Sequence, residues 1–153
     1  MNYLLHTPEG VRDIYDEECR TKNALCDNMS RILRLYGYQD IQTPTFEYFD
    51  IFNHDKGTVS SKNMYKFIDR DGSTLVLRPD ITPSIARAAA KYFNDETMPL
   101  RFSYCGNTFI NNSSLQGKMK ETTQLGVELI GDRSIDADAE MIVLAVRLLE
   151  SSG

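Results

Sequence analysis

Thr122-Thr123-Gln124-Leu125-Gly126-Val127-Glu128-Leu129-Ile130 is the stretch whose pattern decides the fold. Leu125, Val127 and Leu129 alternate with Gln124, Gly126 and Glu128, and a period of two sends the apolar set to one side of a strand and the polar set to the other. Upstream, Arg101 to Phe109 reads as a further strand, joined to this one by a polar loop. Met64 to Ile68 and Thr74 to Leu77 are two more, and Asp71-Gly72 between them marks a hairpin turn. Tyr38 to Gln42 is a short strand closed by Thr43-Pro44, because the residue before a proline is pushed out of the helical region. Phe46 to Phe52 is apolar enough to pack but has no clear period, and Asn53 to Asn63 has the composition of a mobile loop.

Three helices sit before, between and after these strands. In Asp13 to Tyr36 the residues Leu25, Met29, Ile32, Leu33 and Tyr36 recur at helical spacing, with Asp13 as the expected cap and Gly37 just past the end. A second helix runs to about Tyr92, with Asp80 or Thr82 as its cap and Pro83 in its first turn. Ile135 to Leu149 is the third, its expected inner face being Ile142, Ala145, Val146 and Leu149. Strands in hairpin-like succession with flanking helices predict an α+β domain built on an antiparallel sheet.

The chain has 153 residues, enough to form a sizeable core without disulfides or metals. Its 17 basic and 22 acidic side chains leave a net charge of −5, which argues against a surface that coats nucleic acid. No basic, apolar leader opens the sequence, and no stretch is long and apolar enough to span a bilayer, so a cytoplasmic protein is expected. Cys19 and Cys26 lie seven residues apart on a helix, about 10 Å along its axis, which is too far for a disulfide. Cys105 has no second cysteine or histidine near it in sequence, and with only His6 and His54 in the chain no metal site is expected.

Chemistry is concentrated in two places. On the polar face of Gln124, Gly126 and Glu128, a glycine admits a ligand to the backbone while an amide and a carboxylate grip an ammonium group. The competing reading is a solvated outer face, usual for antiparallel strands. In Leu77-Arg78-Pro79-Asp80-Ile81-Thr82-Pro83, Asp80 and Thr82 stand either as helix caps or as ligands facing the same pocket as Glu128. Lys118 and Lys120, around Gly117, offer charge to a phosphate or simply form a solvated loop. No glycine-rich phosphate loop or nucleophile elbow is present.

These segments together resemble a known family. Pro8-Glu9-Gly10-Val11-Arg12-Asp13-Ile14, the long helix, Tyr36-Gly37-Tyr38 and Thr43-Pro44-Thr45-Phe46-Glu47 are similar to motif 1 of class II histidyl-tRNA synthetases. Asn63-Met64-Tyr65-Lys66-Phe67 with Leu77-Arg78-Pro79-Asp80-Ile81-Thr82, then Tyr104-Cys105-Gly106-Asn107-Thr108-Phe109 with Gln124-Leu125-Gly126-Val127-Glu128-Leu129-Ile130-Gly131, resemble the amino-acid-binding turn and motif 2. The likeness runs in order through nearly the whole chain, read as a single class II synthetase-like domain over 1–153. It stops ahead of motif 3, so a domain cut from a longer protein is expected.

By that resemblance Asp80, Thr82, Gln124 and Glu128 hold the amino-acid substrate, histidine, with Asp80 where the synthetases usually have Glu. The motif 2 arginine that holds the α-phosphate of ATP is matched by Ile110, the acidic residue two further on by Asn112, and the aromatic that stacks on adenine by Thr122. A kept amino-acid pocket beside a dismantled ATP site is similar to the regulatory subunits of ATP phosphoribosyltransferase, catalytically silent synthetase paralogues of histidine biosynthesis. The resemblance implies no catalytic residue and no cofactor, histidine as ligand, a short-form ATP phosphoribosyltransferase catalytic subunit as partner, a homodimer through the motif 1 region Asp13 to Thr43, and no tRNA partner. A divergent histidyl-tRNA synthetase, or another amino-acid-binding paralogue with an unrelated partner, stays open.

Overall fold

The computed structural model describes residues 3–53, 59–112 and 117–153. Its first long element, α1 (Asp16–Leu35), ends in a Schellman motif. Gly37 has φ +82°, its N–H bonds the carbonyl of Arg34 at 3.0 Å, and the N–H of Tyr38 reaches back to the carbonyl of Leu33 at 3.1 Å. Glycine at this position lets the chain reverse without a Cβ clash, and the reversal brings Tyr38 and Leu33 together as buried neighbours. The start of α1 differs from expectation. The helix begins at Asp16 rather than at Asp13, and the residue before it, Tyr15, gives no side-chain cap. Asp16 itself sits at φ +53°, a left-handed entry that Asp tolerates better than most residues, and its carboxylate pairs with Arg20 at 2.8 Å.

The strands form two three-stranded sheets. Phe46–Tyr48 (β2), Lys66–Ile68 (β3) and Thr74–Leu77 (β4) make one, in the order β2-β4-β3 and antiparallel throughout. The expected hairpin is present: Gly72 has φ +87°, Asp69 N–H bonds Ser73 O at 2.9 Å, and the Asp71 carboxylate accepts from Ser73 N–H at 2.8 Å. Gln39–Asp40 (β1), Leu100–Phe109 (β5) and Glu121–Ile130 (β6) make the other, in the order β1-β5-β6. One neighbour departs from the antiparallel pairing of the rest: β1 runs parallel to β5, with Gln39 opposite Phe102. A parallel neighbour requires a long connection between the two strands, and the sixty residues or so between β1 and β5 supply it. The ambiguous segment after Pro44 resolves into β2 and one 3-10 turn, Phe49–Ile51. Of the loop expected over Asn53 to Asn63, residues 54–58 lie outside the described residues, and Ser61–Asn63 is a 3-10 turn.

Thr82–Tyr92 (α2) and Ile135–Glu150 (α3) complete the fold. By its contacts the chain divides into two compact units. The first comprises Met1–Ile14, Thr43–Lys91 and Gly106–Gln124, and its core gathers Phe52, Met64 and Val76 with Phe49, Ile51 and Val59 packed against them. A half-buried ion pair ties this unit together: Arg87 on α2 donates to Glu47 on β2 at 2.5 Å, with Glu47 only 7% exposed and Arg87 27%.

The second unit comprises Tyr15–Gln42, Tyr92–Cys105 and Leu125–Gly153. Leu33, Tyr38 and Leu144 are its buried centre, with Ile32, Leu125, Val127, Met141 and Leu148 around them. The inner face of α3 is therefore Ala137, Met141, Leu144 and Leu148, whereas the expected face is largely outside, with Ile142 67% and Leu149 70% exposed. The helix is apolar on nearly every side, so periodicity alone does not choose its rotation. A polar anchor does. Tyr38 Oη donates to Glu140 at 2.9 Å, and Arg101 donates two bonds to the same carboxylate, one of them at 2.9 Å.

This anchor has a pH signature. The hydrogen bonds from Arg101, with a smaller contribution from Tyr38, hold the Glu140 carboxyl below the ordinary 4.5. Burial, then Glu140, push Tyr38 up to about 12. The unfolded chain takes up a proton at Glu140 before the folded one does, so this stability is present above the ordinary glutamate value and is lost as pH falls through the lower folded value. We expect urea unfolding midpoints to drop on acidification below about pH 4.5, and to drop less steeply in Glu140→Gln. Identical slopes for the two proteins would count against this anchor.

Candidate functional site

The N-terminus of α2 shows why Asp80 has a structural use. Its Oδ1 accepts the N–H of Ile81 at 2.7 Å and that of Thr82 at 3.4 Å, covering donors that a helix start leaves open. Thr82 is the first helical residue and is exposed, while Asp80 is half-buried. Alternation along β6 places Gln124, Gly126 and Glu128 on one face of that strand, each half-buried. Asp80, Thr82 and Gln124 belong to the first unit and Glu128 to the second.

Two residues that the sequence quoted only as parts of motifs turn out to shape these surroundings. The first is Arg78, 8% exposed and next to Pro79 and Asp80. Its Nε donates to Asn107 O at 2.8 Å, and its Nη1 to Thr43 O at 2.8 Å and to Pro44 O at 3.2 Å. Burial shifts its pKa downward, and the carbonyl dipoles around it stabilise the charge that remains. Gly106 makes room for it, since a Cβ there would come within 2.6 Å of Nη2. The second is Tyr104. Ile110 N–H bonds Lys120 O, and Thr108 faces Thr122, which makes β5 and β6 an antiparallel hairpin. The same register sets Tyr104 opposite Gly126, where a Cβ would lie 2.4 Å from the Tyr104 hydroxyl. The space over Gly126, which the sequence reading assigned to a ligand, is filled by this ring. A glycine inside a strand signals a close approach but not what approaches.

At the expected motif 2 positions, Asn112 Nδ2 donates to Met119 O at 3.1 Å, and the Thr122 hydroxyl pairs with that of Thr108 at 3.1 Å. Lys120 lays its aliphatic stem over Gly10, and its N–H bonds Gly10 O at 2.7 Å. Lys118 is exposed. Residues 113–116 of the polar loop lie outside the described residues. Among the described residues no cluster of His, Cys, Asp and Glu has the makings of a metal site, and no helix is long and apolar enough to cross a membrane.

A long N-terminal helix, the Asp80-Ile81-Thr82 turn and the Gln124 to Glu128 strand occur in the order expected of a class II synthetase core. The family model for histidyl-tRNA synthetase matches residues 10–153, and the chain belongs to that family. Among curated proteins it is 44% identical, over 99% of its length, to a protein of Acetivibrio thermocellus named ATP phosphoribosyltransferase regulatory subunit. Among solved structures it matches an ATP phosphoribosyltransferase regulatory subunit/histidyl-tRNA synthetase from Bacillus halodurans with a TM-score of 0.90 and 39% identity, covering 100% of this chain and 39% of that one. A histidine–tRNA ligase subunit from Alicyclobacillus acidocaldarius follows at TM-score 0.82 and 28% identity, covering 97% of this chain and 42% of the other. The chain spans only about 36% of the Acetivibrio relative.

Proposed function

We propose that this chain is part of a regulatory subunit of ATP phosphoribosyltransferase, a protein of histidine biosynthesis that binds histidine without activating it. The observation that carries this reading is the 44% identity to a protein of that name over nearly the whole chain, well above the 28% found with the histidine–tRNA ligase subunit. The motif positions agree with it. Asp80, Thr82, Gln124 and Glu128 keep the residue types that hold an amino acid, whereas Ile110, Asn112 and Thr122 stand where a synthetase needs an arginine, an acid and an aromatic ring for ATP. The proposal extends to a homodimer through Asp13 to Thr43, a short-form catalytic phosphoribosyltransferase as partner, and a cytoplasmic location. Neither tRNA nor a membrane is among the proposed partners.

In this reading the histidine ammonium group is held by Asp80 and Glu128, with Gln124 and Thr82 completing the hydrogen bonds. A carboxylate in a partly desolvated place gains most from a bound cation, so Glu128 should matter more than a surface acid. Calorimetry with histidine checks this on a chain of the relatives' full length. Glu128→Ala is expected to weaken binding at least about tenfold, the loss of one charge-assisted hydrogen bond. Equal affinities would remove Glu128 from the site. Co-elution with a short-form catalytic subunit tests the partner independently of the ligand.

A further inference from the structure

Two opposite faces of α3 are apolar, and the core of the second unit uses one of them: Met141, Leu144 and Leu148 pack with Leu33, Tyr38, Leu125 and Val127. On the far side Ile135, Ala139, Ile142, Val146 and Leu149 follow one another at steps of four, three, four and three residues. At 3.6 residues per turn those steps keep all five within about 40° of one line along the helix, the spacing of a coiled-coil seam. The stripe is open to water: Ile135 is 82% exposed, Ile142 67%, Val146 50% and Leu149 70%, and Ala139 is exposed as well. One exposed leucine needs no explanation, but an unbroken apolar stripe the length of a helix marks a surface that something covers. Charge along its edge says what. Asp136 and Arg147 are eleven residues apart, close to three full turns, so they stand on the same flank of the stripe at opposite ends of the helix. Asp136 is exposed, and the pair that Arg147 makes with Glu150 is 3.7 Å long and open to solvent. An antiparallel copy of the same helix sets Arg147 of each chain beside Asp136 of the other and opposes the two helix dipoles, whereas a parallel copy sets Asp136 against Asp136.

We propose that this stripe is a self-association surface, on which two copies of the chain pair α3 against α3, antiparallel, about a two-fold axis close to Ile142. Ile142 then meets its own counterpart at the centre, Ala139 lies near Val146 of the other copy, and Ile135 near its Leu149. The stripe reads the same in both directions along the helix, large at the ends and in the middle, which is what a self-complementary two-fold contact requires. It supplies roughly 500 Å² of apolar surface per copy, against about 800 Å² in a whole interface of standard size, and flanking residues such as Val143 and Arg147 form the rest. This surface lies outside Asp13 to Thr43, so it is separate from the homodimer proposed above and does not depend on it.

Light scattering on the 153-residue protein across a dilution series tests this. We expect a defined mass of two copies, or of four where the Asp13 to Thr43 interface forms as well, and Ile142→Lys should halve it. The two-fold axis makes one substitution bring two unpaired charges into the contact, so pairing should weaken at least about a hundredfold. Val146→Lys, on the same stripe, should act likewise. Both side chains are open to water in the single chain, so the helix content seen by circular dichroism should stay at the wild-type level. Leu5→Lys, at a residue 80% exposed and away from α3, should leave the mass unchanged. Charge reversal tests the direction of pairing: Arg147→Asp should weaken association about tenfold, and Asp136→Arg combined with Arg147→Asp should restore it. A wild-type mass of one copy at about 100 µM would overturn the proposal and leave the stripe to a different occupant. So would a mass that Ile142→Lys and Val146→Lys do not change, an equal loss in Leu5→Lys, or a double reversal that associates no better than Arg147→Asp alone.

Discussion

Replacing Arg78 by methionine is expected to cost about 3 to 5 kcal/mol of folding stability, the largest loss we anticipate from any single substitution in the chain. Methionine keeps the apolar stem of the side chain and deletes every donor. The carbonyls of Thr43, Pro44 and Asn107, which now share one guanidinium, would lose it together. A buried carbonyl left unpaired costs on the order of 1 to 3 kcal/mol, which applies in full to Thr43 O, while Asn107 O and Pro44 O are only part-buried and recover part of the loss from water. Lysine should not rescue the protein, because a single ammonium cannot present the planar fork that reaches three carbonyls from two separate segments, Thr43-Pro44 and Asn107. Urea denaturation of the wild type, Arg78→Met and Arg78→Lys gives the numbers. A methionine variant within about 1 kcal/mol of wild type would show that these bonds are incidental. Because Arg78 leads directly into Pro79-Asp80, loosening it should also disturb the α2 N-terminus, and with it the proposed grip of Asp80 on histidine.

Arg78 also marks where sequence reading stops. Its neighbours Asp80 and Thr82 were legible, since a carboxylate and a hydroxyl at a strand-to-helix junction have few uses: capping or ligand binding. The burial of Arg78 was not, because its three acceptors come from Thr43, Pro44 and Asn107, distant in sequence and identical to any other carbonyl. Local chemistry carried the rest of what was legible. Gly37 and Gly72 fixed two chain reversals through their positive φ, and the alternation from Gln124 to Leu129 set the inner face of β6, where Leu125 and Val127 do pack on Leu33, Tyr38 and Leu144. Long-range choices were hidden. The parallel pairing of β1 with β5 depends on a partner some sixty residues away, and the rotation of α3 depends on Glu140 meeting Tyr38 and Arg101. Gly126 is the instructive intermediate: the strand glycine was correctly read as a place of close approach, but the group that approaches is Tyr104.

The second large effect concerns chemistry that the protein should lack. We expect no histidine-dependent exchange of labelled pyrophosphate into ATP above a blank without protein, either for these 153 residues or for a chain of the relatives' full length. In nucleotidyl transfer a well-placed cationic donor stabilises the charge that develops on the α-phosphate, and removing one such donor costs on the order of 2 to 4 kcal/mol, a factor of about a hundred to a thousand. In the proposed reading, Ile110 puts an aliphatic side chain where that donor would stand. The two residues that the proposal places at the companion positions are already engaged within the chain: the Asn112 amide bonds Met119 O, and the Thr122 hydroxyl bonds Thr108. Restoring the arginine alone, as Ile110→Arg, is therefore expected to leave exchange at the blank, because neither the neighbouring acid nor the stacking ring returns with it and groups that act together do not contribute additively. Exchange by the wild-type protein would return the reading to a divergent synthetase. Exchange gained by Ile110→Arg alone would instead locate the loss of activity in that one residue, with Asn112 and Thr122 as bystanders.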